Sequence, residues 1–161
     1  ILQVSFDSNS AGNYNILWRL NAWVQSFGFF LDSPFFGIGV NRFGDFNKDF
    51  IGFPGIFYFA VDGVQDWRSH YIHAHNLYLN TLAEQGIFGL SFLLYIFYKI
   101  YIFFHNNIDI DKDIAELGKI ALIYSFFAGL FGNGIEAPSS GLPFGLFCGF
   151  AYNYLERKIK R

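Results

Sequence analysis

Charged residues and cysteine are scarce in this sequence of 161 residues, and methionine is absent. Charged residues make up 15% of the chain and apolar residues 53%, which leaves too little polar surface to cover a water-soluble fold. A net charge of -2 without a basic stripe excludes nucleic acid as a partner. The single cysteine, Cys148, excludes a disulfide framework and a cysteine-based metal site, and its apolar surroundings predict inert packing. The composition therefore predicts an integral membrane protein.

The start of the chain also lacks two features of a complete precursor. It has no initiator methionine, and no charged-then-apolar signal segment opens it. We therefore interpret the sequence as the C-terminal part of a longer membrane protein, so residues that complete a site can precede Ile1.

Three apolar segments predict about three transmembrane helices within residues 77–161. They are residues 86–104, 117–135 and 141–155, and the last is short and rich in glycine. Because lysine and arginine collect on the cytoplasmic side of membranes, the basic residues at the end of the chain predict a cytoplasmic C-terminal tail. Counting back through the spans places residues 1–76 outside the cytoplasm. The basic residues of the tail are Arg157, Lys158, Lys160 and Arg161.

Residues 1–76 are predicted to form a large extracytoplasmic loop region with one interfacial helix. Apolar residues recur at helical spacing over residues 13–32, with Phe27 and Leu31 on the apolar side and Ser26 on the polar side. Trp18 and Trp23 in this segment suit the membrane interface. A turn is expected next, and residues 46–71 are predicted to be irregular. The residues that demand the turn are Pro34, Gly37 and Gly39.

Polar groups at helical spacing precede the first apolar segment. Asn76, Asn80 and Glu84 recur every four residues and predict one polar stripe, typical of groups that face a protein interior or a watery cavity. His75 lies at the predicted helix start, where the positive end of the dipole favours neutral imidazole, the form that acts as a general base. Plainer roles stay open: Asn76 as a helix cap, Glu84 as a bond to a neighbouring helix, and His73 as an interfacial residue.

A metal site is the competing interpretation of the histidines. His70, His73 and His75 fall within six residues, a spacing that can collect a transition metal. No carboxylate or cysteine clusters tightly with them, and the pair around Ala74 fits a metal only in an extended segment. We therefore predict no metal and no cofactor.

Two groups of residues resemble the signature of the O-antigen ligase and O-antigen polymerase superfamily. One is His75-Asn76 followed, after nine residues, by Gly86-Ile87-Phe88-Gly89. The other is an arginine on a helix, Arg19, followed by a tryptophan and the segment "SPFFGIGVNRF". The resemblance runs from about residue 17 to 90.

The resemblance implies an all-α, GT-C-like polytopic helical bundle in the bacterial cytoplasmic (inner) membrane. It implies a metal-independent, inverting glycosyltransferase that moves a glycan from undecaprenyl diphosphate to a lipid or protein acceptor on the outer face. By this resemblance, His75 is the base and Arg19 binds the diphosphate, for which a planar guanidinium is suited. Arg42 is a second candidate for the phosphate and Arg68 a weaker one. His73, Asn76, Asn80 and Glu84 are expected to support the site.

Alternatives remain open at this point. A polysaccharide polymerase that joins lipid-linked repeats would use the same chemistry, as would a ligase that glycosylates protein. A non-enzymatic membrane transport module is the alternative of a different class, because such modules hold ionisable groups such as Glu84 within the membrane. The expected partners are the lipid-linked glycan, its acceptor and membrane lipid, and no nucleic acid.

Overall fold

The computed structural model describes residues 11–43, 73–132 and 138–160 of the chain. Within these ranges the structure contains four helices and no strand, which confirms the all-helical prediction for this part. The predicted irregular segment 46–71 lies outside the described residues. The helices are α1 (Ala11–Asp32), α2 (Leu77–Asn106), α3 (Lys112–Phe131) and α4 (Pro138–Ile159).

Two of these helices have the length and apolar character needed to cross a membrane. The most apolar windows of α2 and α3 have mean hydropathies of 1.9 and 1.6. The third predicted segment forms α4. Its mean hydropathy is too low for a membrane-spanning helix by the same measure, because glycine, proline and a charged end lower it. A membrane-spanning role for α4 therefore stays a prediction.

The chain divides into two compact units, Ile1–Leu90 and Ser91–Arg161. The division that we predict at residue 76 depends on the side of the membrane that each part faces, and it stays a prediction. The candidate site residues all belong to the first unit.

In the first unit, α1 ends where the sequence demands it. Pro34 cannot continue the helix, because it lacks an N–H group and disfavours helical backbone in the residue before it. Gly37 and Gly39 then adopt φ angles of 69° and 106°, which favour glycine. These residues confirm the predicted turn, which we call the glycine turn (residues 33–43).

The buried face of α1 differs from the one that the apolar repeat predicts. Phe27 and Leu31 are exposed, whereas Ser26, assigned to the polar side, is fully buried and its hydroxyl donates to the Ala22 carbonyl. Small residues let helices approach closely, while large apolar residues can face lipid, so the inverted pattern is typical of membrane proteins. The side chain of Trp18 lies outside the described part. The core of this unit contains Ala22, Phe29, Phe43, Ala74 and Ala83.

In the second unit, α3 packs closely on its neighbours. Asp111 caps its N-terminus by accepting the N–H of Ile114 at 3.3 Å. Gly118 faces the ring of the buried Phe104 so closely that a Cβ there would lie 2.4 Å from it. The buried thiol of Cys148 lies 3.8 Å from the Gly118 carbonyl oxygen, which fits the packing role expected for this cysteine.

Candidate functional site

The helix α2 is interrupted at Gly86, where the backbone has φ 66° and ψ -164°. In a continuous helix the carbonyls of Ala83 and Glu84 would accept from the N–H groups four residues later. Here they accept instead from the glycine turn. Ile38 donates its N–H to the Ala83 carbonyl at 3.0 Å, and Gly39 donates to the Glu84 carbonyl at 2.9 Å. The glycine turn thus pairs with the carbonyl side of the break.

The other side of the break is paired in the same way. The N–H of Ile87 donates to the Pro34 carbonyl at 2.9 Å, and the N–H of Phe88 donates to the Phe35 carbonyl at 3.4 Å. In a continuous helix these four backbone groups would form two bonds with each other, whereas here they form four with the glycine turn. This exchange leaves none of these four backbone groups of α2 unpaired, which a chain near or within a membrane requires.

Glycine is needed on both sides of this crossing. A Cβ on Gly37 would lie 2.2 Å from the carbonyl carbon of Glu84, and one on Gly86 would lie 2.4 Å from that of Phe35. Each would meet backbone, which cannot rotate away as a side chain can. The two glycine motifs of the sequence are thus the two halves of one crossing between segments far apart in the chain.

Glu84 binds the end of the glycine turn with its carboxylate. Its two oxygens accept the N–H groups of Asn41 at 2.9 Å and Phe43 at 3.2 Å. Glu84 is buried, and Asn41 has a φ of 59°, a left-handed conformation that Asn tolerates better than most residues. Glu84 therefore holds the backbone on both sides of Arg42. The contact with a turn, rather than with a neighbouring helix, is not evident from the sequence.

Two buried asparagines shape the backbone around His75. The side-chain oxygen of Asn76 accepts the N–H of Leu79 at 3.0 Å, so Asn76 caps α2. The side-chain oxygen of Asn80 accepts the N–H of Ala74, also at 3.0 Å. Between these bonds His75 adopts a φ of 52°, which is uncommon for a residue with a Cβ and recurs at functional sites. The predicted polar stripe thus lies in the protein interior, one of the two environments expected for it, where it binds backbone N–H groups.

The two histidines lie together, half-buried, with ring centroids 4.3 Å apart. Burial lowers the pKa of His75, and the nearby positive charges of His73 and Arg19 lower it further. Burial also lowers the pKa of His73, against the opposing influence of Glu84. Neutral imidazole is favoured at His75, in the direction that the sequence predicts. The main cause is burial rather than the helix dipole.

Arg19 and Arg42 hold different positions. Arg19 is exposed on α1, close enough to His75 for its charge to lower the pKa of that imidazole. Trp23, one turn further along α1, buries an indole N–H for which the described residues offer no acceptor. Arg42 is exposed at the end of the glycine turn, and its side-chain stem lies over Gly39. The structure thus brings Arg19 to His75, and Arg42 to the backbone that Glu84 holds.

Two residues named in the sequence predictions, His70 of the possible metal site and Arg68, lie outside the described residues. The three-histidine arrangement is therefore not described. In residues 11–43, 73–132 and 138–160, no group of three or more His, Cys, Asp or Glu side chains is placed to hold a metal ion.

This arrangement can perform one kind of chemistry well. A neutral imidazole can take a proton from a hydroxyl group, and a guanidinium beside it can stabilise negative charge on a phosphate leaving group. Side-chain oxygens of Asn76, Asn80 and Glu84 accept backbone N–H groups beside His75 and on both sides of Arg42. The four-residue spacing of the sequence indicates these three residues, but it does not indicate which backbone groups they bind.

The chain matches a known protein family over more than half of its length. A family model described as O-antigen ligase matches residues 2–94. A search of curated proteins finds no match. The matched range contains α1, the glycine turn, both histidines and the break at Gly86.

Proposed function

This chain belongs to the O-antigen ligase family, and we propose that it takes part in moving a glycan from undecaprenyl diphosphate to a lipid or protein acceptor. The family match and the two apolar helices make it a membrane protein. We further propose a GT-C-like polytopic bundle in the bacterial cytoplasmic membrane. In this proposal residues 1–76 lie on the outer side and the C-terminus lies in the cytoplasm.

The observation that carries the proposal is the environment of His75. Its left-handed backbone, half-buried ring and lowered pKa suit a base that is neutral near pH 7. An imidazole nitrogen takes the proton of the acceptor hydroxyl, and the hydroxyl oxygen forms a bond to the anomeric carbon of the glycan. The bond from that carbon to the diphosphate oxygen breaks, and its electron pair leaves with undecaprenyl diphosphate. A single displacement of this kind inverts the anomeric centre.

Arginine side chains stabilise the leaving group in this scheme. Arg19 lies close enough to His75 for its charge to lower the pKa of the imidazole, and a guanidinium can pair with the diphosphate through two hydrogen bonds. Arg42 extends from the glycine turn and is the second candidate for this role. Because the guanidinium supplies the positive charge, the proposed step does not require a metal ion.

A polymerase that joins lipid-linked repeats would use the same residues, because only the acceptor differs. The transport alternative depended on Glu84 as an ionisable group within the membrane. Both of its carboxylate oxygens accept backbone N–H groups of the glycine turn, so a structural role accounts for this residue. We therefore favour glycan transfer.

The test is glycan transfer in membranes that contain the intact protein and lipid-linked oligosaccharide. We expect His75→Ala and Arg19→Ala to abolish transfer while membrane insertion is retained, and excess chelator to leave the wild-type rate unchanged. His105→Ala is the matched control, because His105 is an exposed histidine at the other end of α2, stacked on Tyr101. Full transfer by His75→Ala would refute its role as base, and loss of the wild-type activity on chelation would favour the metal site.

A further inference from the structure

Three phenylalanines at the crossing of the glycine turn and α2 form an exposed patch. Phe35, Phe36 and Phe88 are 60%, 76% and 56% exposed. The ring of Phe88 lies 6.0 Å from that of Phe35 and 5.4 Å from that of Phe36. We call these three residues the aromatic patch. Contiguous apolar groups of this kind on a protein surface mark contact with a membrane or another apolar partner.

The patch is held rigidly, although two of its members lie in a turn. The Phe88 N–H donates to the Phe35 carbonyl, and the adjacent Ile87 N–H donates to the Pro34 carbonyl. The close approach of Gly86 to the Phe35 backbone leaves little freedom between the two segments. The rings of Phe35 and Phe36 therefore stay beside the first turn of the helix that follows the break.

The length of α2 indicates the depth of this patch. From Ile87 to Asn106 the helix has about 20 residues, or roughly 30 Å, the thickness of a bilayer hydrocarbon core. The part before the break carries the buried polar residues Asn80 and Glu84. The part after Gly86 thus has the length of the bilayer core, which would put the break at the membrane boundary.

We propose that the aromatic patch contacts lipid, inserting among acyl chains next to the headgroups at the N-terminal end of the α2 span. Ile87, also exposed, continues the patch along the same apolar helix. Phenylalanine rings contribute large apolar surfaces, which favour the acyl region over water. The insertion holds the glycine turn, and Arg42 with it, at the depth of the headgroup phosphates. This inference goes beyond glycan transfer and depends only on the membrane assignment.

The test measures depth with a nitroxide label in the intact protein reconstituted in phospholipid vesicles. Phe36→Cys is labelled in a Cys148→Ala background, and collisions with oxygen and with a water-soluble nickel reagent are compared. Ile123→Cys, exposed near the middle of α3, is the reference for the bilayer interior. Lys112→Cys, exposed at the start of α3, is the reference for water. Phe35→Cys repeats the measurement if the Phe36 variant does not accumulate.

For the label at position 36, we expect an oxygen-to-nickel accessibility ratio several-fold above that of the label at position 112. We expect it to lie below the ratio at position 123. A ratio equal to that at Lys112 would place the patch in water and overturn the proposal. Low accessibility to both reagents would show that protein covers the patch, which would overturn it as well. The readout does not use catalysis, so failure of the transfer reaction leaves it intact.

Discussion

The crossing at Gly86 yields the sharpest prediction, because substitution by alanine there has a defined cost. Gly86→Ala would place a Cβ 2.4 Å from the Phe35 carbonyl carbon at a residue with φ 66°. If the break is kept, this combination of φ and ψ, which essentially only glycine adopts, costs about 1–3 kcal/mol before the contact with Phe35 is relieved. If the helix closes instead, the backbone groups of Ala83, Glu84, Ile87 and Phe88 recover two intrahelical bonds and lose four to the glycine turn.

The second route is also unfavourable. A net loss of two hydrogen bonds at about 1 kcal/mol each amounts to about 2 kcal/mol. Closing the helix also moves Glu84 away from Asn41 and Phe43, whose N–H groups then lose a charged acceptor. From these terms the first route costs at least about 1–3 kcal/mol and the second at least about 2 kcal/mol. Because the turn also carries Arg42, we expect glycan transfer to fall with stability.

The assay is reversible unfolding of the purified protein in mild detergent, followed by circular dichroism. Gly145→Ala is the matched control, because a Cβ there meets nothing within 4 Å and the residue lies within α4. Alanine is a better helix former than glycine, so this control is expected to be neutral or stabilising by up to about 1 kcal/mol. If the unfolding free energy of Gly86→Ala lay within about 0.5 kcal/mol of wild type, the crossing would not contribute as we argue.

Three further predictions concern the site. For the proposed base, His73→Gln removes a positive charge that lowers the pKa of His75, so the acidic limb of the pH–rate profile should move to higher pH. A limb that stays at the same pH would show that the charge of His73 does not affect His75. Glu84→Gln keeps the shape but turns an N–H donor toward one backbone N–H, and we expect a loss of about 1–3 kcal/mol in the unfolding free energy. Asn80→Ala removes the acceptor for Ala74 and should slow transfer, whereas Asn80→Asp retains an acceptor oxygen and should retain more of the rate. Equal rates for the two Asn80 variants would argue against a positioning role.

Much of the fold can be predicted from local patterns. The helical character of α1, the apolar segments within α2 and α3, and the turn at Pro34 follow from periodicity and from the restricted backbone of proline. The histidine-asparagine and glycine motifs identify the family, which the comparison with known proteins confirms. The helix dipole predicts the direction of the pKa change at His75 correctly, although burial is its main cause.

The buried face of α1 could not be predicted in the same way. The apolar repeat assumes a helix whose large side chains face a protein core, as in water. In a chain that meets lipid, Phe27 and Leu31 can be exposed at little cost, and Ser26 can be buried because its hydroxyl donates to the Ala22 carbonyl. The periodicity is the same in both cases, so hydrophobicity alone cannot distinguish them.

The sequence by itself determined which residues are helical, where α1 must stop, and which glycines and polar groups require an explanation. Only the tertiary structure decided that Gly37 lies against the backbone of Glu84 and Gly86 against that of Phe35. It also decided that Glu84 binds the N–H groups of a turn more than forty residues away, and that His75 is held in a left-handed conformation. The physical reason is that helix and turn propensities act between near neighbours. The pairing of backbone donors with acceptors across a broken helix depends on segments that only folding brings together.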